Sequence, residues 1–519
     1  MMKKTIAAHL PSWPIRRLPA PSPLAGEGWG GGGGRAWRGG QIETSWLSLG
    51  VSWIALRWRR AASRPPTPSL PREGGGGNSR AWGVSCALAV VVPWLAAAPA
   101  GAVSVERVVS AGGIEAWLVA EDTIPILSMR IAFRGGARRD PIGKAGLANL
   151  VSGLLDEGAG ELGALAFQKR LDDLAVRYSA NASRDGFSVT LTTLSEHRDE
   201  AFGLLALALT EPRFDTDAVE RIRQQILTSL ANQAKDPNRV ARRLWAAAAF
   251  PDHPYGRPTQ GTPDEVAALS ADDLRRFVTE GFAKDVLVIG VAGDITAGEL
   301  GPLLDRTFGR LPDTATAVTV ADIAPAAPGA LIVERMPVPQ SVVAFGHEGL
   351  PRDHPDYYTA YVINHVLGGG FSSRLTTEVR EKRGLAYGIY SYLLPLDHAA
   401  VFAGGVATAN ARVSETIEVV RAELTRMRDH AVSEDELADS KTYLTGSFPL
   451  RLDSNGEIAS FLVAMQLAKL GIDYLDRRNG LIEAVTIEDA RRVARDLFAP
   501  ERLTIVVVGD PENLEPTAQ

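Results

Sequence analysis

The chain has 519 residues, a hydrophobic share of 45% and a formal net charge of −6. It is too long for one ordinary core and too weakly charged to point to a nucleic-acid partner. A single cysteine, Cys86, excludes a disulfide framework and a cysteine-ligated metal site.

Residues 1–79 hold the glycine runs Gly30–Gly34 and Gly74–Gly77 and two similar Pro/Ser/Gly segments, without a sustained period. Such low-complexity sequence is expected to form no packed core. It resembles translated repeat DNA, so the native start is expected further down. Arg80 then precedes an apolar run from Val84 to Ala97, followed by small residues to Ala102. A positive flank, a short apolar core and a small-residue exit make residues 80–102 a secretory signal, and the mature protein is expected to be exported, with the periplasm as its compartment. The run is short for a membrane span and contains Pro93, so no span is expected in the mature chain; an uncut N-terminal anchor is the other reading.

From Val103 the chain becomes regular. Ala116–Ala120 and Ile126–Phe133 read as strands, ended by the Gly-rich segment Arg134–Pro141. In Gly146–Glu157 the apolar residues Leu147, Leu150, Val151, Leu154 and Leu155 fall at i, i+3, i+4, i+7 and i+8, which predicts a helix packed along one face. Its other face carries Asn149, Ser152 and Gly153. Arg177–Thr193 reads as a hairpin turning at Asp185-Gly186. Helices are expected up to about Glu280, then a strand over Val286–Asp294.

The second half repeats this plan. Ala268–Phe277 aligns with Ala484–Val493, and the same offset of 216 carries Phe282 onto Phe498 and Gly293-Asp294 onto Gly509-Asp510. Both copies open as a helix capped by Ser270 or Thr486 and end in a β-branched strand. A repeat this long predicts two homologous α+β domains, each an antiparallel-type sheet with helices on one face, over residues 103–319 and 320–519. The Ala/Pro/Thr-rich stretch Leu311–Ala330 is the expected connection.

Gly135–Ala148, His253-Pro-Tyr-Gly256, and Leu367–Leu375 with Glu378-Val-Arg-Glu-Lys-Arg-Gly-Leu-Ala-Tyr387 resemble the insulinase/pitrilysin-type zinc metallopeptidases, in particular the mitochondrial-processing-peptidase-like branch. The resemblance covers residues 103–519 and implies that the two domains form a clam-shaped pair. Active members of that family carry His-x-x-Glu-His, two zinc-binding histidines on one helical face and a Glu that polarises water. Carried onto this chain, the motif falls on Asn149, Leu150, Val151, Ser152 and Gly153. The third ligand falls on Ser229 and a supporting acid on Ile222. Neutral amides and hydroxyls are poor zinc ligands, Gly153 has no side chain, and Ser152 is no general base near neutral pH. The degenerate positions Asn149, Ser152, Gly153 and Ser229 therefore predict no catalytic zinc in this chain.

Other residues give weak alternatives. His347 and His354 flank a loop that reads as ordinary surface, and His365 sits in an apolar helix as a core residue. No Gly-x-Ser-x-Gly elbow is present, and Gly368–Gly370 read as a helix-end turn rather than a nucleotide loop.

The resemblance gives Arg383 and Tyr387 another weight. In the family this Arg and Tyr reach from the second domain to the substrate backbone and its developing oxyanion. From spacing alone, Arg383 pairs with Glu378 or Glu381 and Tyr387 is core. Two-chain members divide the labour: one chain carries the zinc motif and the other the Arg/Tyr pair. The expectation is a non-catalytic, peptide-binding subunit of an exported heterodimeric zinc peptidase, inactive alone. It would complete the site of a homologous zinc-bearing partner around an extended peptide, with zinc in the partner and no cofactor here. Ile126–Phe133 is the expected edge strand for that peptide. The alternatives are a zinc-free structural scaffold and a lone peptide-binding protein.

Overall fold

A computed structural model describes residues 104–517. The leader 1–79 and the whole signal segment 80–102 lie outside the described residues. Among the described residues no helix is long and apolar enough to cross a membrane.

The first half contains β1 (Glu106–Val109), β2 (Glu115–Ala120), β3 (Ile126–Arg134), the two-residue pair β4 (Gly158–Ala159) and β5 (Leu162–Gly163), β6 (Arg177–Ala182), β7 (Gly186–Leu194) and β8 (Leu287–Gly293). The second half contains β9 (Leu331–Arg335), β10 (Gln340–Glu348), β11 (Ile389–Pro395), β12 (Ala400–Ala409) and β13 (Thr504–Gly509). The main sheets run β1-β2-β8-β3-β7-β6 and β9-β13-β10-β12-β11. Apart from β1, the two orders are the same. In each, one pair is parallel, β2 with β8 and β13 with β9, and the rest are antiparallel.

The duplication holds in detail. Ser270 caps the helix Ala271–Gly281 in a reciprocal capping box with Asp273, and Thr486 accepts from the Asp489 N–H at the start of Ile487–Leu497. Gly293 has φ +128°, and a Cβ there would lie 2.1 Å from the Ile126 carbonyl oxygen. At Gly509 a Cβ would lie 2.2 Å from Ser341 Oγ. The repeated glycine thus marks where the last strand crowds the strand beside it. Residues 312–330, between the halves, carry no helix or strand.

Each sheet buries one face under helices of its own half. The other face is covered by a helix from the opposite half. Pro237–Ala249 lies on the second sheet, where Trp245 packs with Val342, Val401, Val506 and Val508, and its indole N–H donates to the Thr504 carbonyl at 3.1 Å. Asn455–Leu467 lies on the first sheet, packing Ala459, Leu462 and Met465 on Trp117, Val119 and Ala292. Gln466 Nε2 donates to the Ile289 carbonyl at 2.8 Å, and Arg134 donates to the Gln466 and Leu467 carbonyls at 2.8 and 3.0 Å. Glycines permit the approach: a Cβ at Gly290 would lie 2.4 Å from the Ala459 carbonyl oxygen, and one at Gly346 would lie 2.7 Å from the Trp245 ring.

One expectation is overturned. Ile126–Phe133 is not an edge: β3 is bonded to β7 on one side and β8 on the other, which uses both rows of its backbone groups. The edge on that side of the sheet is β6.

Candidate functional site

The helix carrying the zinc-motif positions is shorter than its periodicity predicts, spanning Leu147–Ser152. It starts at Gly146, whose φ of +91° admits no ordinary side chain. Asp140 closes its first turn, accepting from the Gly146 and Ala148 N–H groups at 2.9 and 3.0 Å. Burial pushes the Asp140 carboxyl up to about 7 against those donors. After Ser152 the chain leaves the helix through tight turns, with Leu154 N–H donating to Val151 and Glu157 N–H to Leu154, both at 3.0 Å. Leu154 and Leu155 stay in the core regardless. The apolar spacing survives because burial depends on where side chains point, not on an unbroken helix.

The positions where ligands would stand are occupied by packing and local hydrogen bonds. Ser152 Oγ donates back to the Asn149 carbonyl at 2.8 Å. Gly153 is pressed on Ile222: a Cβ at 153 would sit 2.9 Å from Ile222 Cγ2, and Ile222 is 8% exposed within the first core. Helix Thr216–Gln233 therefore does face the zinc-motif helix, but it presents a hydrocarbon. Ser229 Oγ accepts from Gln233 Nε2 at 2.9 Å, and the same amide donates to Gln260 at 2.6 Å. The carboxylate at the end of the segment, Glu157, is held bidentate by Arg221 at 2.7 and 3.1 Å. An amide, two hydroxyls and a glycine packed on an isoleucine give no donor set for zinc and no general base. Among the described residues no group of three or more His, Cys, Asp or Glu side chains is placed to hold a metal ion.

The second segment is built differently. The backbone is π-helical at His365–Gly369 and again at Thr376–Lys382, on either side of the turn through Gly370 and Phe371. Wide turns of this kind are rare and recur at functional sites. Gly368 lies against β11, since a Cβ would be 2.4 Å from Ser391 Oγ, so this glycine serves close packing. Gly384, at φ +59°, then breaks the helix, which removes the option of Arg383 and Tyr387 sharing one helical face. Leu385 is buried and anchors the turn: its N–H donates to the Val379 carbonyl at 2.8 Å, and its carbonyl accepts from Thr408 Oγ1 at 2.7 Å.

Arg383 pairs with the Glu378 carboxylate and donates to its carbonyl at 3.0 Å, as spacing alone suggests. Its side chain nevertheless stays 40% exposed. Lys382 and Arg383 together hold the Glu378 carboxyl below the usual carboxylate range. Tyr387 is not core: it is 85% exposed. Its ring lies against the Arg380 guanidinium, 4.6 Å from the centroid, and Phe371 lies against the same guanidinium at 4.7 Å. Spacing gave no sign of this contact, because it joins residues on both sides of a helix through a non-helical turn.

His365 opens the first π-helical segment. Its Nδ1 is 2.9 Å from Ser440 Oγ and its ring stacks on Tyr443, while Nε2 is buried without a hydrogen-bond partner. Burial, with the Arg451 charge adding to it, lowers its pKa to about 4. His347 is likewise buried and stacked on Phe402, and His354 Nδ1 accepts from the Asp356 N–H at 3.1 Å.

Residues 118–263 match the family model for insulinase (peptidase family M16), and residues 268–444 match the peptidase M16 inactive domain. The chain belongs to the insulinase family. It is 28% identical over 420 residues to a Streptomyces coelicolor protein named an uncharacterized zinc protease, covering 78% of this chain and 90% of that one. It is 28% identical over 331 residues to the non-peptidase homolog YmxG of Helicobacter pylori, covering 63% of this chain and 76% of that one. The crystal structure of a peptidase M16 inactive domain from Pseudomonas fluorescens is similar with a TM-score of 0.74 at 26% identity, over 80% of this chain and 99% of that one. At Asn149, Ser152, Gly153 and Ser229, where the resemblance places the family's zinc motif, this chain holds no metal-ligating side chain.

Proposed function

We propose that this chain is the non-catalytic, peptide-binding subunit of an exported heterodimeric insulinase-type peptidase. Arg383 and Tyr387 reach the substrate in the site of a homologous, zinc-bearing partner. The observation that carries the reading is the 85% exposure of Tyr387 at the end of a well-anchored turn, opposite in character to the sealed zinc-motif helix. A guanidinium fork suits a peptide carbonyl, and a phenol suits an oxyanion that forms as the carbonyl is attacked. The extended peptide is added at β6, whose outer edge lacks a strand partner among the described residues. The exported location rests on residues 80–102, and sequencing the N-terminus of the mature protein tests it.

The decisive experiment is co-purification with a homologous chain that has an intact His-x-x-Glu-His motif, followed by peptide cleavage. Each chain alone is expected to be inactive and the mixture active. Arg383→Ala and Tyr387→Phe are each expected to lower kcat about 10²- to 10³-fold, the usual effect of losing one oxyanion donor. Cleavage that is unchanged in both variants overturns the proposal.

A further inference from the structure

We propose that Arg380 is the positioning residue for Tyr387, its guanidinium clamped between the Phe371 and Tyr387 rings so that the phenol is held against the turn that carries Arg383. The inference rests on the functional reading above only for its activity arm.

The geometry is unusual for a surface. Phe371 is 60% exposed and Tyr387 is 85% exposed, yet the cation between them is half-buried. Two exposed rings seeking only to hide apolar surface would close on each other. Here one guanidinium serves both rings, at 4.7 Å from one centroid and 4.6 Å from the other, which is cation–π distance to each. Arg380 also organises the backbone, since its carbonyl accepts from the Gly384 N–H at 3.1 Å where the π-helical segment ends. One residue thus closes the turn through its main chain and fixes the ring beyond it through its side chain. The buried anchor, Leu385, lies two residues before Tyr387, and the intervening Ala386 is half-buried. The clamp is therefore what defines the direction of an otherwise exposed phenol. It also ties the glycine-rich turn, through Phe371, to the Arg/Tyr segment.

The test has two arms. In the purified full chain, amide hydrogen exchange is followed over residues 383–388. Arg380→Met, which keeps the length and loses the charge, is expected to raise exchange about tenfold with the melting temperature little changed, and Arg380→Lys to retain most of the protection. Phe371→Leu removes one exposed ring, leaves the core intact and is expected to raise exchange by a smaller factor. Unchanged exchange in both Arg380→Met and Phe371→Leu overturns the inference. In the second arm, with the zinc-bearing partner, Arg380→Met is expected to lower kcat with KM held. Added to Tyr387→Phe it should cost nothing further, whereas losses that multiply overturn the positioning role. A wild-type mixture that cleaves nothing sinks the proposed function, and the exchange arm still decides the part played by Arg380.

Discussion

The space at Gly153 is filled by a buried isoleucine from the facing helix, while the ring of Tyr387, at the end of an anchored turn, stands almost entirely in solvent. These are the two segments that the family resemblance singles out, and in this chain they are built in opposite ways. Around the zinc-motif helix, polar groups are turned inward on their own backbone or on neighbouring amides, and the gap between helices is closed by hydrocarbon. Around Arg383 the backbone is pinned while the charged and aromatic groups stay outward. A region that has lost its ligands can be repacked for stability. A region still exposing large side chains on a rigid turn carries a cost that packing alone does not explain.

The largest expected effect tests the sealed region. Ile222→Ala opens a cavity beside Gly153 and is expected to cost about 2–5 kcal/mol in urea or thermal unfolding. A loss below about 0.5 kcal/mol would mean that the helices do not depend on that contact.

The second expectation concerns His365, at the start of the first π-helical segment. His365 is held neutral, with its pKa lowered to about 4 from an ordinary 6.5. Between those values the unfolded chain binds more protons than the folded one, so stability rises with pH and is lost on acidification, by up to about 1.4 kcal/mol per pH unit. The buried Asp140, raised to about 7, contributes the opposite slope below that pH. Replacing His365 by Phe should therefore flatten the acid limb by one histidine's share and leave the Asp140 contribution in place, as unfolding measured at several pH values between 4 and 7 will show.

Third, Gly153→His should overpack the site against Ile222 and cost about 1–3 kcal/mol rather than create a ligand. Combined with Ile222→Ala it should be less harmful than the sum of the two, by about 0.5 kcal/mol or more, because the variants share one space. Strict additivity in thermal melts would argue that the two residues do not touch.

The smallest effect is expected in the exposed region. Arg383→Ala and Tyr387→Ala should each change stability by no more than about 1 kcal/mol, since they remove surface pairs. Set beside the large activity losses expected with the partner, that contrast separates function from folding. A large stability loss in either variant would return these residues to a structural role.

Much of this was legible in the sequence. The 216-residue offset from Ala268 to Ala484 shows the duplication, and the Gly-Asp closure of β8 and β13 marks strand ends that the structure keeps. Apolar spacing placed Leu147, Leu150, Val151, Leu154 and Leu155 in the core although the helix ends at Ser152. What spacing could not give was the position of β3 inside its sheet, since alternation looks the same in an edge strand and a central one. It also could not show that Asn455–Leu467 packs on the sheet of the other half.

By itself, the sequence determined that Asn149, Ser152, Gly153 and Ser229, the positions to which the family resemblance assigns the zinc motif, carry no metal-ligating side chains, because ligand chemistry is a property of residue type. It also determined the two-fold plan, which any repeat of this length reveals. Only the tertiary structure decided that Ile222 packs on Gly153, that Tyr387 stands exposed beyond Leu385, and that Arg380 lies at cation–π distance from two rings. These are contacts between side chains brought together by turns and by packing across helices, and such contacts leave no periodic trace along the chain.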